Sequence, residues 1–351
     1  MKILIVGASG VNGYAVTQHF KNNTEWDYLT LSRSPLYYEH DKSKHLEINL
    51  LEFIDCDEYK EQLKQVTHIF YAALKPNTNA KFEADENERM FENAIKLVRK
   101  YWDKLEHITF LQGGKVYGAH LGTYKTPARE DQSRHFPPNL YFRHEDYSKK
   151  LSTDTKISYT ALRPDVVIGY SLHSAMNLGN LIGVYATICK ESGMDFIFPG
   201  DAETFSKLAN VTDSDIVARA VEWSFNNEKA KNKAFNITNG DVFRWEQVWE
   251  RIADYYDLKV GYPQPISLED YFDYNEERWS RLVDDHHLKE LRIRDIAKGN
   301  FGDFIFNVGT DAIFNVNEAR RNDFNVMNRE SPDSILNHIK YLQKESIIPT
   351  Y

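Results

Sequence analysis

The first thirteen residues, MKILIVGASGVNG, constrain this chain more than any other stretch. Ile3, Leu4, Ile5 and Val6 form an unbroken apolar run. That is the pattern of a strand buried on both faces of a parallel sheet, since a strand with one wet face alternates instead. Gly7, Gly10 and Gly13 follow at once, at G-x-x-G-x-x-G spacing. In such a turn the first glycine permits the tight reversal, the second lets a pyrophosphate approach bare backbone, and the third lets the next helix press against the strand. Val11, Ala15, Val16 and Phe20 then recur at helical spacing, so the glycines open a helix whose N-terminal amides and dipole favour an anion. A glycine triplet also serves ordinary turns, but between an all-apolar strand and an amphipathic helix it reads as a dinucleotide fingerprint.

The remaining composition bounds the class. At 351 residues the chain has length for two domains or for one nucleotide-binding core with an intimate second lobe. A formal net charge of −9 gives no general attraction to nucleic acid or anionic lipid, and basic clusters such as Lys229, Lys231 and Lys233 read as solvated faces. Two cysteines, Cys56 and Cys189, make no disulfide framework and no CxxC metal pattern, which suits a reducing compartment. Met1 runs straight into the first strand, no apolar run reaches membrane-spanning length, and the expectation is a cytoplasmic protein.

Further strands are expected at 28–31, 46–48, 67–73, 108–111 and 159–162, with a helix at 57–65 and a long amphipathic one from Phe82 to Trp102. A β-α-β-α-β series calls for an α/β fold, a Rossmann-like doubly wound parallel sheet with right-handed crossovers. Ligands then lie beyond the carboxyl ends of the strands. After the second strand an acidic residue would suit NAD, whereas this chain has Ser32, Arg33, Ser34 and Pro35. Arginine can pair with a 2′-phosphate, a charge-assisted contact worth roughly 1.5–3 kcal/mol, so NADP(H) is expected, against a merely solvated arginine.

Past the fifth strand comes Gln112-Gly113-Gly114-Lys115-Val116-Tyr117-Gly118, a lysine and a tyrosine among glycines that could reach a carbonyl oxygen; on its own it reads more readily as a glycine turn with an exposed lysine. Residues 119–138, with Pro127, Pro137 and Pro138, are expected to form a long surface excursion. A helix then begins near Asn139. The Y-x-x-x-K pair of short-chain reductases is absent there, for Tyr141 is followed at that distance by Glu145 and Tyr147 by Leu151.

These segments resemble a known family. LQGGKVYG (111–118) is similar to the LQTGxKxY segment, and NLYFRHED (139–146) to the NFYYxxED segment, of the progesterone 5β-reductase and iridoid synthase-like branch of the short-chain dehydrogenases/reductases. The likeness runs on through 160–193, Phe198 to Gly200, 211–223 and 234–253, and weakens past residue 255. It implies an NADPH-dependent reductase of the C=C bond of small α,β-unsaturated carbonyl compounds. It puts the catalytic ammonium on Lys115 and the catalytic tyrosine position on Phe142, with Tyr141 matching only the preceding tyrosine. Phenylalanine cannot donate to an oxyanion. Either Tyr141 or Tyr117 substitutes, or Lys115 acts alone with water, or activity is feeble or lost. The expected coenzyme contacts are Gly7, Ser9, Gly10, Val11, Asn12 and Gly13, then Ser32, Arg33 and Ser34, Asn49, Ala72, Gln112 and Lys115, and finally Pro164, Val166 and Val167.

A nucleotide domain is expected over 1–170 with contributions from about 205–240, and a mostly helical substrate lobe over 171–351. A largely apolar helix at 175–190 would line the pocket or fill the lobe's core, Thr212 with Asp215 reads as a capped helix start, and Phe301 to Phe306 and Ile313 to Val316 could close the pocket. Trp245, Val248, Trp249 and Ile252 make a core face. His286 and His287 lack carboxylates at ligand spacing, so no metal is expected. The other readings left open are carbonyl reduction, sugar-nucleotide epimerisation and a non-catalytic NADP-binding protein. A homodimer is also possible.

Overall fold

The computed structural model describes residues 1–52 and 56–351. It divides into two compact units, one of residues 1–165, 214–237 and 315–326, the other of 166–213, 238–314 and 327–351. The short segment 315–326, which the sequence places in the second lobe, belongs to the first unit.

The first unit is built on a seven-stranded parallel sheet. In chain order the strands are β1 (Lys2–Val6), β2 (Asp27–Ser32), β3 (His45–Glu47), β4 (His68–Tyr71), β5 (His107–Leu111), β6 (Ser158–Pro164) and β7 (Lys233–Ile237). Their order across the sheet is β7-β6-β5-β4-β1-β2-β3. The chain thus runs outward from β1 to β3, returns to the other side of β1 at β4, and runs outward again. The reversal opens a crevice at the carboxyl ends of β1 and β4, where such sheets bind ligands.

Helices cover both faces. On one lie α1 (Val11–Lys21) and α5 (Ser214–Asn226), packed on each other; on the other lie α2 (Ala80–Tyr101) and α3 (Leu140–Asp154). Double cover is why β4 and β6 are buried along their whole length and why their residues do not alternate. The sheet's apolar cluster joins Leu4, Ile69, Ile108 and Ala161 to Phe91, Ile95 and Val98 of α2, the stripe expected of that helix.

Two expectations need correction, those for 119–138 and for Phe306, while the apolar helix takes the second of its two expected roles. The 119–138 excursion is not all surface, because Ala128 is fully buried and its carbonyl accepts from both Asn236 Nδ2 (3.0 Å) and the amide of Asn315 (2.9 Å). Thr212 lies in the two-residue strand Thr212–Asp213, paired with Val167–Ile168 and directly before α5, and Asp215 forms an i,i+4 ion pair with Arg219 at 2.9 Å. The apolar helix α4 (Leu178–Ser192) is core, buried at every residue from Leu178 to Cys189. Phe306, too, is core: it is fully buried and packs edge-on against Phe198 at 5.1 Å.

In the second unit Asn177 caps α4 by accepting from the amide of Asn180. The expected core face appears on α6 (Trp245–Tyr256), with Trp249 stacked on Phe196 at 5.0 Å and its indole N–H donated to Ile197 O. Among the described residues no group of side chains could hold a metal, and no helix is long and apolar enough to cross a membrane.

The closest approach in the first unit is between β1 and α1. Gly7 has φ of +88°, and a Cβ built on Gly13 would stand 2.1 Å from the Gly7 carbonyl oxygen. Gly13→Ala is therefore expected to lower the melting temperature by several degrees or abolish soluble expression, with a rigid backbone clash as the cause. Buried histidines make a second prediction. Burial holds His68, His144 and His338 down at about 4, with Lys231 and the N-terminus also lowering His68 and a bond to Asn87 opposing the shift at His144. Each stays neutral in the fold but takes up a proton near pH 6.5 when unfolded. Stability is thus whole above 6.5 and falls as pH drops towards 4, by on the order of 3 kcal/mol per histidine at the limit. Urea midpoints between pH 6.5 and 5, above the carboxylate range, are expected to decline, and less steeply in His68→Phe; a flat profile would contradict this.

Candidate active site at the carboxyl edge of the sheet

The nucleotide end of the site is set by the glycine turn. Gly7 and Ala8 donate their amides to Leu31 O (2.9 and 3.2 Å), fixing the turn to β2, and the Gly10 amide returns to Gly7 O at 3.1 Å. Gly7 fits against the end of β4 so closely that a Cβ there would meet the Ala73 nitrogen at 2.7 Å and the Ala72 carbon at 2.8 Å. Gly10, the N-cap of α1, is different: its nearest contact for an added Cβ is 3.6 Å away. Protein packing does not demand a glycine at that position, whereas a ligand lying on the helix N-terminus would. Beside it the Oδ1 of Asn12 is buried without a hydrogen-bond partner, and Ser9 is half-buried. A bare cradle with an orphaned amide fits a dinucleotide diphosphate.

Arg33 stands exposed directly after β2. Its loop is fastened at both ends: Ser32 Oγ donates to Ser34 O at 2.5 Å, and the Tyr38 hydroxyl donates to Ala8 O at 3.1 Å. Tyr38, which the sequence reading did not single out, thereby ties the Arg33 loop to the glycine turn. Burial, then His40, lowers His45 below the usual imidazole range, leaving it neutral beside Ser32 (3.4 Å) and Thr30 (3.0 Å). Asn49 closes a turn after β3 by accepting from the Leu51 amide, and the Ala72 amide is held on Val6 O.

Chemistry-bearing groups collect past β5. Gly113 lies in extended backbone, followed by a single 3₁₀ turn, Gly114–Tyr117. The Lys115 ammonium donates to both carboxylate oxygens of Glu83, at 2.9 and 2.8 Å. Glu83, in the first turn of α2, is only 7% exposed. Asn139 joins this turn to α3: Nδ2 donates to Lys115 O at 2.8 Å, while Oδ1 caps the helix by accepting from the Tyr141 amide at 2.9 Å. The Tyr141 hydroxyl comes to 3.6 Å from where a Cβ on Gly113 would stand, with the carbonyl of Pro164, at the end of β6, 3.7 Å from the same point. Burial first, and Glu83 second, push the Tyr141 phenol up, so it remains protonated at neutral pH.

The other two aromatic candidates are elsewhere. Phe142 is buried with the Arg134 guanidinium 4.9 Å over its ring, turned away from Tyr141. The Tyr117 hydroxyl donates to Asn236 Oδ1 at 2.5 Å and accepts from Arg163 at 3.1 Å. Lys115 and Tyr141 are thus brought together around Glu83 and Gly113; Tyr117 and Phe142 are not part of that group.

A buried polar network backs the site. Arg163 Nε donates to Gln112 Oε1 at 2.7 Å and its NH2 lies 3.4 Å from Glu145 Oε2, while Gln112 Nε2 donates to Tyr141 O at 3.0 Å. Burial alone would raise Glu145, yet Lys149 at 2.6 Å, with Arg163 and Arg134, keeps it below its ordinary range and ionised. Gln112 therefore serves from within the protein. Val166 packs on the apolar cluster of the second unit and Val167 pairs with Thr212, so both lie in that unit. Sequence reasoning missed Glu83, whose place in a helix's first turn is too common to stand out.

The chain is similar to several known proteins along nearly its whole length. The (S)-8-oxocitronellyl enol synthase of Catharanthus roseus is 27% identical, over 99% of this chain and 92% of its own length. The 3-oxo-Delta(4,5)-steroid 5-beta-reductase of Arabidopsis thaliana is 25% identical over 99% and 92%. Among solved structures, UDP-glucose 4-epimerase of Thermotoga maritima superposes with a TM-score of 0.69, covering 98% of this chain and 99% of that one at 17% identity, a likeness of fold. A family description, the PRISE-like Rossmann-fold domain, matches residues 3–331, and the chain belongs to that family.

Proposed function

We propose that this protein is an oxidoreductase that uses NADP(H) to reduce the C=C bond of a small α,β-unsaturated aldehyde or ketone. The observation that carries the reading is an ammonium, Lys115, fixed on the turn after β5, with the half-buried Tyr141 bringing its phenol to the same corner from α3. Both relatives carry names of small-molecule carbonyl chemistry, an enol synthase and a steroid reductase.

NADP(H), when bound, supplies the hydride for the β-carbon. The chain's own part is electrostatic. As that carbon is reduced, negative charge gathers on the carbonyl oxygen, Lys115 Nζ and the Tyr141 hydroxyl donate hydrogen bonds to it, and the enolate then takes a proton from water at its α-carbon to complete the saturated product. Fixed donors of this kind are each worth about 2.7–4 kcal/mol, or 10²–10³ in rate. The raised Tyr141 phenol suits a donor that must keep its proton until charge develops. In this reading Phe142 is not a lost acid but a packing residue beneath Arg134. Gly7, Ser9, Gly10, Val11, Asn12 and Gly13 would hold the diphosphate, Arg33 with Ser32 and Ser34 the 2′-phosphate, and Asn49, Ala72 and Pro164 the remaining coenzyme.

The test is oxidation of NADPH against a panel of enals and enones, with products identified by mass and NMR to separate C=C from C=O reduction. Lys115→Met is expected to lower kcat by 10²-fold or more and Tyr141→Phe by at least tenfold, while Phe142→Tyr gains nothing. Activity appearing only in Phe142→Tyr would overturn the assignment of Tyr141. Arg33→Ala is expected to weaken NADPH binding roughly ten- to a hundredfold by calorimetry and to leave NADH binding unchanged; equal effects on the two would remove Arg33 from the phosphate site.

A further inference from the structure

Among the described residues Glu83 is the buried carboxylate that meets the proposed catalytic lysine, and it does so with both oxygens, at 2.9 and 2.8 Å. The two partners differ in exposure: the lysine side chain is 37% exposed and the glutamate side chain 9%. An ammonium that well hydrated needs no partner for its own solvation, and pairs of exposed charges contribute about 0–1 kcal/mol. A carboxylate buried to that degree, by contrast, requires a cation or several donors. The pair is thus explained poorly by the lysine's stability and well by its placement.

The backbone beneath Glu83 is unusually constrained. Asn79 caps α2 by accepting from the amides of Lys81 and Phe82, and its carbonyl takes the Glu83 amide at 2.9 Å. Asn87, fully buried, donates to the Glu83 carbonyl at 2.8 Å and grips Lys75 through its amide and carbonyl, at 2.9 and 2.8 Å. His144 of α3 in turn lies 3.1 Å from the Asn87 carbonyl. The carboxylate therefore stands on a fixed platform shared by α2 and α3. Lys115 is held from the other side, where Asn139 grips its carbonyl. A long flexible side chain is pinned at its root and at its tip, which is what a preorganised donor requires.

We propose that Glu83 is the positioning residue of the site: it sets the Lys115 ammonium beside Tyr141, so that the working unit is Glu83–Lys115–Tyr141. The inference rests on the reading of Lys115 as a donor to the substrate carbonyl. It adds a residue that acts only through another.

A double-mutant cycle tests it. In the enzyme with NADPH and the best enal or enone found, Glu83→Gln is expected to lower kcat about tenfold or more with KM for NADPH within twofold. In the Lys115→Met background the same change is expected to do nothing further. Glu83→Asp, which keeps the charge on a shorter arm, is expected to recover part of the loss. Melting temperatures give an arm that needs no turnover: Lys115→Met strands the Glu83 carboxylate and lowers the melting temperature, and Glu83→Gln added to it restores part of the loss. An active wild type whose kcat is unchanged in Glu83→Gln, or losses that multiply in the double variant, would overturn the role of Glu83. A wild type inactive across the whole panel would instead overturn the reading of function.

Discussion

Nothing can be inserted between the first strand and the first helix of this protein. Gly13 brings the helix backbone onto the Gly7 carbonyl with no room for a methyl group, and Gly7 brings the turn onto the end of the neighbouring fourth strand. The consequence is directional. Packed this tightly, α1 points its free amides over the carboxyl edge of the sheet, at the place where strand order reverses. Every other functional group is displayed relative to that edge, whether at the end of β2, β5 or β6.

At the opposite end of the site the governing physics is the handling of buried charge. Glu83, Glu145 and Arg163 are all withdrawn from water, and each is matched by a partner within hydrogen-bonding reach or close to it. Charges in such surroundings either pair or lose their ionisation. Matching them in two groups, one around Lys115 and one around Arg163, separates the Lys115 ammonium from the guanidinium that braces the strands behind it. Tyr117 shows the division well, since its phenol is absorbed by the second group although only one residue separates it from Lys115.

Most of the fold is legible in the sequence because its strands announce themselves. Runs such as Ile3 to Val6 and Ile69 to Tyr71 are apolar without alternation, and only a doubly covered sheet buries such segments on both faces. Errors fall where long-range partners decide. Ala128 sits in a proline-rich, charged stretch, yet Asn236 and Asn315 draw it inside. In the site, the glycines, Arg33 and Lys115 can be read locally. Which of two adjacent aromatic residues faces the lysine cannot, because it depends on how Asn139 sets the first turn of α3. Glu83 is invisible for the same reason: an acidic residue opening a helix is ordinary until the turn it meets is known.

Glu145 occupies the spot, one helical turn beyond Tyr141, where many reductases of this architecture keep their lysine, and it is already committed to Arg163, Lys149 and Arg134. Swapping in a cation there would set it against three others and leave Arg163 without its counter-ion. The commoner design is therefore barred to single replacements at this position, and any change of donor in such a scaffold must work through the loop after β5 rather than the helix.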